Sequence, residues 1–219
     1  MIVLIDQKAL GSRALPPLVG LPHDMLLVVD GARVAKLDPE GIAYILNHVV
    51  AYGRCLSDDA WMDALERVRP AFAIGRGAGI AYSAWSVSVC CRTAAKFTRG
   101  GVIVPVKTVD AIAWLPSGDL VMAMLPGERY GYQRFDPFRA YKCPVWVGPG
   151  PPREQWEAYS VYKDAGADVV GVLIGAEVGG WARRGSVVNS DLSVSNAEGT
   201  WQQCIHQSIF TLETFWRGR

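Results

Sequence analysis

A glycine-rich loop is the segment of this sequence whose residue types best suit the binding of an anion. Residues 75–79 read Gly-Arg-Gly-Ala-Gly and follow a short apolar run. Backbone N–H groups in such a loop attract phosphate, together with the N-terminus of a following helix. We therefore predict a phosphate-bearing cofactor at Gly75, Arg76, Gly77 and Gly79 in the case that the protein is an enzyme.

The loop lacks the two best-known nucleotide-binding patterns. Ile80 stands at the sixth position of G-x-G-x-x-G, and no Gly-Lys-Ser/Thr follows the glycines. A tight turn that packs a helix against a strand is the alternative interpretation of the same residues.

Two family resemblances arise in this region. Residues 76–81, Arg-Gly-Ala-Gly-Ile-Ala, resemble the Arg/Gln-x-x-Gly-x-Gly/Ala loop of the acetyl-CoA-dependent N-acetyltransferases. That resemblance implies a nucleotide or acetyl-CoA-like cofactor whose pyrophosphate is held by backbone amides. It covers six residues, and two predicted helices stand where that family has antiparallel strands. Residues 72–75 are similar to a segment of proteasome-type hydrolases, but the glycine-flanked N-terminal nucleophile of that class is not evident.

A second candidate site is a segment of interleaved aromatic and basic residues at 129–142. Such side chains dominate protein interfaces, and they also stack on bases and neutralise phosphates. Because the net charge is only +1, we predict a protein partner or self-association in preference to nucleic acid. The alternative is that the rings face a core and the cations stay in water. The residues predicted to bind the partner are Arg129, Tyr130, Tyr132, Arg134, Phe135, Phe138, Arg139 and Tyr141.

Catalytic and metal-binding patterns are not found in the sequence. There is no Gly-x-Ser-x-Gly, only three histidines, and five cysteines without a C-x-x-C pair. We therefore predict neither a catalytic nor a metal-binding residue.

A weaker site is predicted at residues 148–150 and 175–177, which follow two strands of a βαβ unit and share the edge where ligands bind. Glu177 is the ionisable residue at that edge.

Apolar runs and turn residues indicate the elements that carry these sites. Strands are predicted at 1–5, 25–29, 71–74, 102–106, 109–115, 120–125, 145–147 and 169–174. Helices are predicted at 39–50, 57–68, 80–97 and 153–165, and the last at about 200–216 behind a Thr200–Gln203 capping box. Residues 116–119, Pro-Ser-Gly-Asp, predict a hairpin, Pro105 predicts an edge strand, and 179–199 reads as a long loop or weak hairpin.

Composition favours one globular domain over residues 1–219. Half of the 219 residues are hydrophobic and 20% are charged, which excludes a disordered chain. We predict an α/β or α+β fold with a mixed β-sheet, an antiparallel middle section, one βαβ unit and covering helices.

The function predicted from these features is non-catalytic. Eight tryptophans, the 129–142 segment and an apolar last helix suggest a structural or interaction protein, such as a subunit of a virion or other oligomeric complex. The alternative is the small enzyme described above.

The predicted location is the cytoplasm or a virion. The first residues carry no signal-peptide pattern, and no membrane-spanning run occurs. The cysteines fit a reducing compartment.

Overall fold

Eight parallel strands form a closed barrel in the computed structural model. The structure describes residues 1–10, 26–30, 36, 49–52, 58–75, 94–106, 115, 120–133 and 143–219. The strands are β1 (Ile2–Asp6), β2 (Leu26–Asp30), β3 (Val49–Tyr52), β4 (Phe72–Ile74), β5 (Val102–Pro105), β6 (Val121–Leu125), β7 (Val145–Val147) and β8 (Val169–Ile174). Each strand pairs with its neighbour in sequence, and β1 pairs with β8 to close the ring.

The closed parallel barrel corrects the predicted fold class. A mixed sheet with an antiparallel middle section is wrong, because β6 pairs in parallel with both β5 and β7. Pro105 does not mark an edge strand, since β5 lies between β4 and β6 in a ring without edges. The α/β class and the βαβ unit at β7 and β8 agree with the prediction.

Besides residues 94–96, which are helical, five helices lie among the described residues. They are α1 (Asp58–Val68), α2 (Arg129–Tyr132), α3 (Pro152–Asp164), α4 (Ala176–Arg183) and α5 (Trp201–Arg217). The predicted capping box is present, because Thr200 and Gln203 each bond the other's backbone N–H. Between α4 and α5 a two-stranded hairpin joins β9 (Ser186–Val188) to β10 (Val194–Asn196). None of the described helices is long and apolar enough to cross a membrane.

Two other element predictions are corrected. Val49 and Val50 were predicted to end a helix because their spacing continues the apolar stripe of residues 42–46, but they begin β3. Residues 179–183 belong to α4, not to a loop. The predicted helix at 80–97, the strand at 109–115 and the 116–119 hairpin turn fall largely outside the described residues.

The barrel has separate inner and outer apolar cores. Leu4, Ile103, Met122 and Trp146 are among the side chains that fill the interior. The alternate strand residues face outward and meet the helices, as Val3 and Ile5 do in β1. This period-two alternation gives every strand two buried faces, which is typical of parallel sheets.

The tryptophan side chains of the described segments are mostly covered within one molecule. Trp61, Trp146 and Trp216 are buried, and Trp156 and Trp181 pack against the outer core. The prediction of an assembly subunit assumed that the chain exposes large aromatic side chains that only a partner could cover. The tryptophans named here are covered by the chain itself, so they do not support that prediction.

Candidate active site

All eight strands end at the same rim of the barrel, and this rim carries several carboxyl groups. Parallel strands place their carboxyl ends together, and in barrels of this kind the active site lies at that end. Asp6 ends β1 and follows Leu4 on the inward-facing side, Glu128 lies just beyond β6, and Glu177 lies just beyond β8. Side chains separated by more than a hundred residues in sequence therefore meet at one mouth.

An open cleft of about 600 Å³ lies at this mouth beside β5, β6 and β7. Its walls are largely apolar, and Glu128 supplies a carboxyl group. Tyr130 is 86% exposed and stands at its border. Cavities that bind small molecules have this combination of apolar walls and few polar groups. The described lining residues are Pro105, Val106, Met124, Leu125, Pro126, Glu128, Tyr130, Gly131, Gly148 and Pro149.

Glu177 folds its carboxyl group back against the start of α4. Gly175 is the N-cap residue of this helix, and a Cβ atom there would lie 2.7 Å from Glu177 Oε1 and 2.7 Å from Pro149 Cβ. Within the described part of the chain, the buried Oε1 atom has no hydrogen-bond partner. A buried oxygen without a partner is unfavourable for folding, and such groups are concentrated at functional sites.

The surroundings of Glu177 raise its pKa above the ordinary value of 4.5. Burial is the main cause, because it removes water from the ionised form. The negative charges of Asp6 and Glu128 act in the same direction, whereas the backbone N–H groups of Gly150 and of Glu177 itself oppose the shift. A carboxyl group whose pKa is raised above its ordinary value holds a proton more readily, which suits it to give and take one.

Helix α3 holds the strand ends that surround this site. Gln155 is buried, and its Nε2 donates to the carbonyl oxygens of Gly148 at 2.7 Å and Leu173 at 2.8 Å. These bonds join the ends of β7 and β8. Close packing of the loops also requires glycine, since a Cβ atom on Gly150 would lie 2.7 Å from the carbonyl carbon of Gly127.

The same helix holds the loop that follows β6. Glu154 accepts a hydrogen bond from the backbone N–H of Arg129 at 2.8 Å, and Tyr132 donates to Glu157 at 2.8 Å. Tyr162 donates to the carbonyl oxygen of Pro126. The cleft wall is therefore fixed by side chains that come from outside the barrel.

The structure gives the predicted site residues different positions. The edge formed by residues 148–150 and 175–177 is confirmed, because β7 and β8 are parallel and Gly150 reaches Glu177. Gly75 follows β4 at the same mouth, but its N–H already bonds the carbonyl oxygen of Ile103 at 2.8 Å. Arg76, Gly77 and Gly79 fall outside the described residues, so cofactor binding at this loop stays a prediction.

The predicted partner segment is described only at its start. Arg129, Tyr130 and Tyr132 form α2 at the cleft, and Tyr132 is tied to α3. Arg134, Phe135, Phe138, Arg139 and Tyr141 fall outside the described residues, and partner binding there stays a prediction. Among the residues that the structure places, no group of three His, Cys, Asp or Glu side chains is arranged to hold a metal ion.

Sequence reasoning missed Asp6 and Glu128. Asp6 ends an apolar run directly, and Glu128 follows another after Pro126 and Gly127, so their positions at strand ends would have marked them once parallel strands were assumed. They approach Glu177 because ring closure places β1 beside β8 and because the loop after β6 lies at the same rim.

Solved structures of the same architecture match the chain over its whole length. A protein described as native KDPGal superposes with a TM-score of 0.55 at 12% identity, covering 100% of this chain and 95% of its own. D-psicose 3-epimerase, solved in the presence of D-fructose, superposes with a TM-score of 0.55 at 9% identity, covering 100% of this chain and 96% of its own. No protein-family model matches the sequence, and no curated protein matches it.

These comparisons correct the predicted function. The interpretation as a non-catalytic structural, virion or oligomeric-assembly subunit is wrong, because the chain has the closed barrel of KDPGal and D-psicose 3-epimerase. The comparisons agree better with the alternative that the sequence left open, a small enzyme.

Proposed function

We propose that this protein is an enzyme that acts on a small molecule at the mouth of the barrel, with Glu177 as the group that moves a proton. The observation that carries the proposal is the carboxyl group of Glu177. It lies at the carboxyl end of β8, its pKa is raised by burial, and its Oε1 atom lacks a partner in the described structure. The cleft at the same mouth, which is lined in part by the neighbouring Pro149, has room for a substrate.

The reaction class follows from what such a carboxyl group does best. The name D-psicose 3-epimerase describes inversion at carbon 3 of a sugar, and inversion of a C–H carbon requires that its proton be removed and returned. A C–H bond next to a carbonyl group is acidic enough for a carboxylate to attack. We therefore assign to this chain proton transfer beside the carbonyl group of a small hydroxylated compound.

The roles of the neighbouring groups are defined by their positions. The ionised carboxylate of Glu177 takes the proton, and the protonated carboxyl group returns it. Asp6 and Glu128 raise its pKa through their charges, which increases the proton affinity of the base. The buried apolar side chains of Met124 and Leu125 line one wall of the cleft and make its surface less polar.

The proposal is tested by hydrogen exchange into substrate. Wild-type protein is incubated in D₂O with D-fructose, D-psicose and simple hydroxyketones, and deuterium at the carbon next to the carbonyl group is followed by NMR. We expect exchange that Glu177→Gln reduces about 100-fold or more, the usual effect of removing a general base. The matched control is Glu198→Gln, which alters an exposed carboxyl group and retains exchange.

Two results would contradict the proposal. One is the absence of exchange with every compound in the presence of folded wild-type protein. The other is exchange by Glu177→Gln at the wild-type rate.

We also propose that the enzyme acts in the cytoplasm. Cys143 and Cys204 are free and buried thiols, which supports a cytoplasmic enzyme.

A further inference from the structure

We infer that Tyr130 is a substrate-binding residue whose ring packs against the C–H face of a sugar, while Glu128 accepts a hydrogen bond from one of the sugar's hydroxyl groups. The inference rests on the proposed function, because it names the substrate class and two residues that hold the substrate. It is argued from the open cleft beside β5, β6 and β7, and it does not depend on the position of Glu177.

The ring of Tyr130 stands in water although the loop that carries it is held in place. Tyr130 is 86% exposed and lines the cleft. The next residue, Gly131, packs so closely on this loop that a Cβ atom there would lie 2.5 Å from Pro126 Cγ. Glu154 and Tyr162 bond the backbone of the same loop from α3. The cleft therefore has an aromatic ring at its border in a defined position.

Tyr130 differs in its contacts from the tyrosines beside it. Tyr132 donates to Glu157, and Tyr162 donates to the carbonyl oxygen of Pro126. No residue that the structure describes makes a hydrogen bond with Tyr130. Its ring and its hydroxyl group are thus both available to a ligand, and an amphipathic ring of this kind contributes a large contact area.

The apolar surface next to Tyr130 continues into the cleft. Met124 and Leu125 line the cleft and are buried, so they extend this surface inward. On the outside, the neighbouring Arg129 and Gln133 are polar and exposed. Because charged residues are depleted at the centre of protein interfaces, these surroundings favour a small molecule in the cleft over a protein partner.

Glu128 supplies the polar contact that the ligand must match. Its exposed carboxyl group lines the cleft on the same loop as Tyr130. An ionised carboxylate only accepts hydrogen bonds, and none of the described lining residues is basic. The ligand therefore needs an apolar face for the ring and hydrogen-bond donors at its edge. A sugar has both, since its C–H groups share a face and its hydroxyl groups project from the rim.

The inference is tested by the equilibrium binding of D-fructose and D-psicose, measured by NMR titration of protein labelled on its tyrosines. We expect the ring signals of Tyr130, assigned by their loss in Tyr130→Phe, to shift when either sugar is added. Tyr130→Ala is expected to weaken binding about 3- to 10-fold, the usual effect of an aromatic contact. Tyr130→Phe keeps the ring and is expected to retain the affinity.

Matched variants separate the cleft from other exposed side chains. Phe210→Ala removes an aromatic ring that is 65% exposed on α5, and we expect it to bind both sugars like wild type. Glu128→Ala is expected to weaken binding about 10-fold, because a hydrogen bond to a charged group is lost. Glu198→Ala, which removes an exposed carboxyl group elsewhere, is expected to leave the affinity unchanged.

Exchange kinetics distinguish binding from proton transfer. With D-fructose in D₂O, Tyr130→Ala is expected to raise KM by the same factor as it weakens binding and to leave the rate at saturation unchanged. This pattern is expected of a residue that contacts substrate and transition state alike. With hydroxyacetone, which has less C–H surface to cover the ring, the rise in KM is expected to be smaller.

Three results would overturn the inference. One is wild-type protein that binds neither sugar, and another is titration without any shift of the Tyr130 signals. The third is wild-type sugar affinity in folded Tyr130→Ala. If that variant also has a lower mass by light scattering than wild type, the ring packs against a second copy of the chain.

The two proposals fail in different ways. Unchanged sugar affinity in Tyr130→Ala, together with exchange that Glu177→Gln abolishes, overturns the assignment of Tyr130 alone. Unchanged exchange in Glu177→Gln, together with sugar-dependent shifts of the Tyr130 signals, overturns the proton-transfer role alone.

Discussion

At the scale of single residues, a carboxyl group shielded from water destabilises the folded chain once it ionises, and Glu177 is such a group. Its pKa is raised from the ordinary value of 4.5, chiefly by burial. The folded state therefore retains the proton at pH values where the unfolded chain has already lost it. Stability contributed by this proton is complete at low pH and is lost as the pH rises from about 4.5 through the raised pKa of the folded state.

This dependence predicts how Glu177→Gln changes stability with pH. Glutamine does not titrate, so the variant lacks the loss of stability above pH 4.5. We expect the Tm of the variant minus that of wild type to increase as the pH rises through this window and then to level off. Thermal unfolding of both proteins across the pH range measures the difference, and a difference that stays constant would contradict the raised pKa.

At the scale of elements, α3 links the barrel rim to the outer layer. It reaches the ends of three strands through Gln155, which bonds β7 and β8 at Gly148 and Leu173, and through Tyr162, which bonds the end of β6 at Pro126. Side chains that lock strand ends in this way fix the geometry of the cleft without facing it. We expect the precision of the site to depend on this helix.

Gln155→Leu tests that dependence. Leucine is similar in size but donates no hydrogen bond, so two buried carbonyl oxygens lose their donor. We expect the free energy of unfolding to fall by about 1–3 kcal/mol, with faster amide hydrogen exchange at residues 148–150. The exposed Gln202→Leu in α5 is the matched control and is expected to change stability by less than about 0.5 kcal/mol. Equal stability of the two variants would show that Gln155 does not hold the rim.

At the scale of the whole molecule, the interior of the barrel is closed beneath the mouth by Trp146. This side chain is fully buried, its Nε1 donates to Met122 Sδ at 3.2 Å, and its ring meets the edge of Phe72. Gly171 in β8 makes the space, because a Cβ atom there would lie 2.5 Å from Trp146 Cε3 and 2.7 Å from the carbonyl oxygen of Ile2. Trp146 thus fills the interior beneath the rim at which the cleft lies.

Gly171→Ala is therefore expected to destabilise the whole fold. The added methyl group meets a ring and a strand backbone that cannot both move away, and overpacking of this kind costs about 1–3 kcal/mol. Gly180→Ala in α4 is the opposite case, since its Cβ would meet nothing closer than Arg184 Nη1 at 4.0 Å, and alanine favours a helix by about 1 kcal/mol. Denaturant unfolding should move the midpoint down for the first variant and up for the second. A neutral Gly171→Ala would contradict the tight packing around Trp146.

The local elements were more accessible from sequence than their arrangement. Apolar runs located β1, β7 and β8, and caps located α3 and α5, because these signals lie within a few residues of one another. A strand buried on both faces gives the same apolar run in a closed barrel as in an open parallel sheet. Closure of the barrel therefore leaves no signal in the local sequence. The turn residues at 116–119 then favoured an antiparallel arrangement that the pairing of β5 with β6 excludes.

The candidate site was predictable only in part for the same reason. The edge that carries Glu177 was located because two strand ends of one βαβ unit suffice to place it, although the sequence assigned no chemistry to Glu177. Asp6 and Glu128 needed the complete ring, which brings the first strand beside the last. Glycine spacing pointed instead to residues 75–79, where the Gly75 N–H is already used by the sheet.

Closure of the ring also sets a condition on synthesis. Ile2 pairs with Gly171 and Ile5 with Ile174, so one side of β1 has no partner until most of the polypeptide has left the ribosome. Contacts between such distant positions form slowly, and exposed strand backbone invites wrong association in the meantime. We expect nascent chains that stop before β8 to bind chaperones and to aggregate, and completion of that last strand to release them.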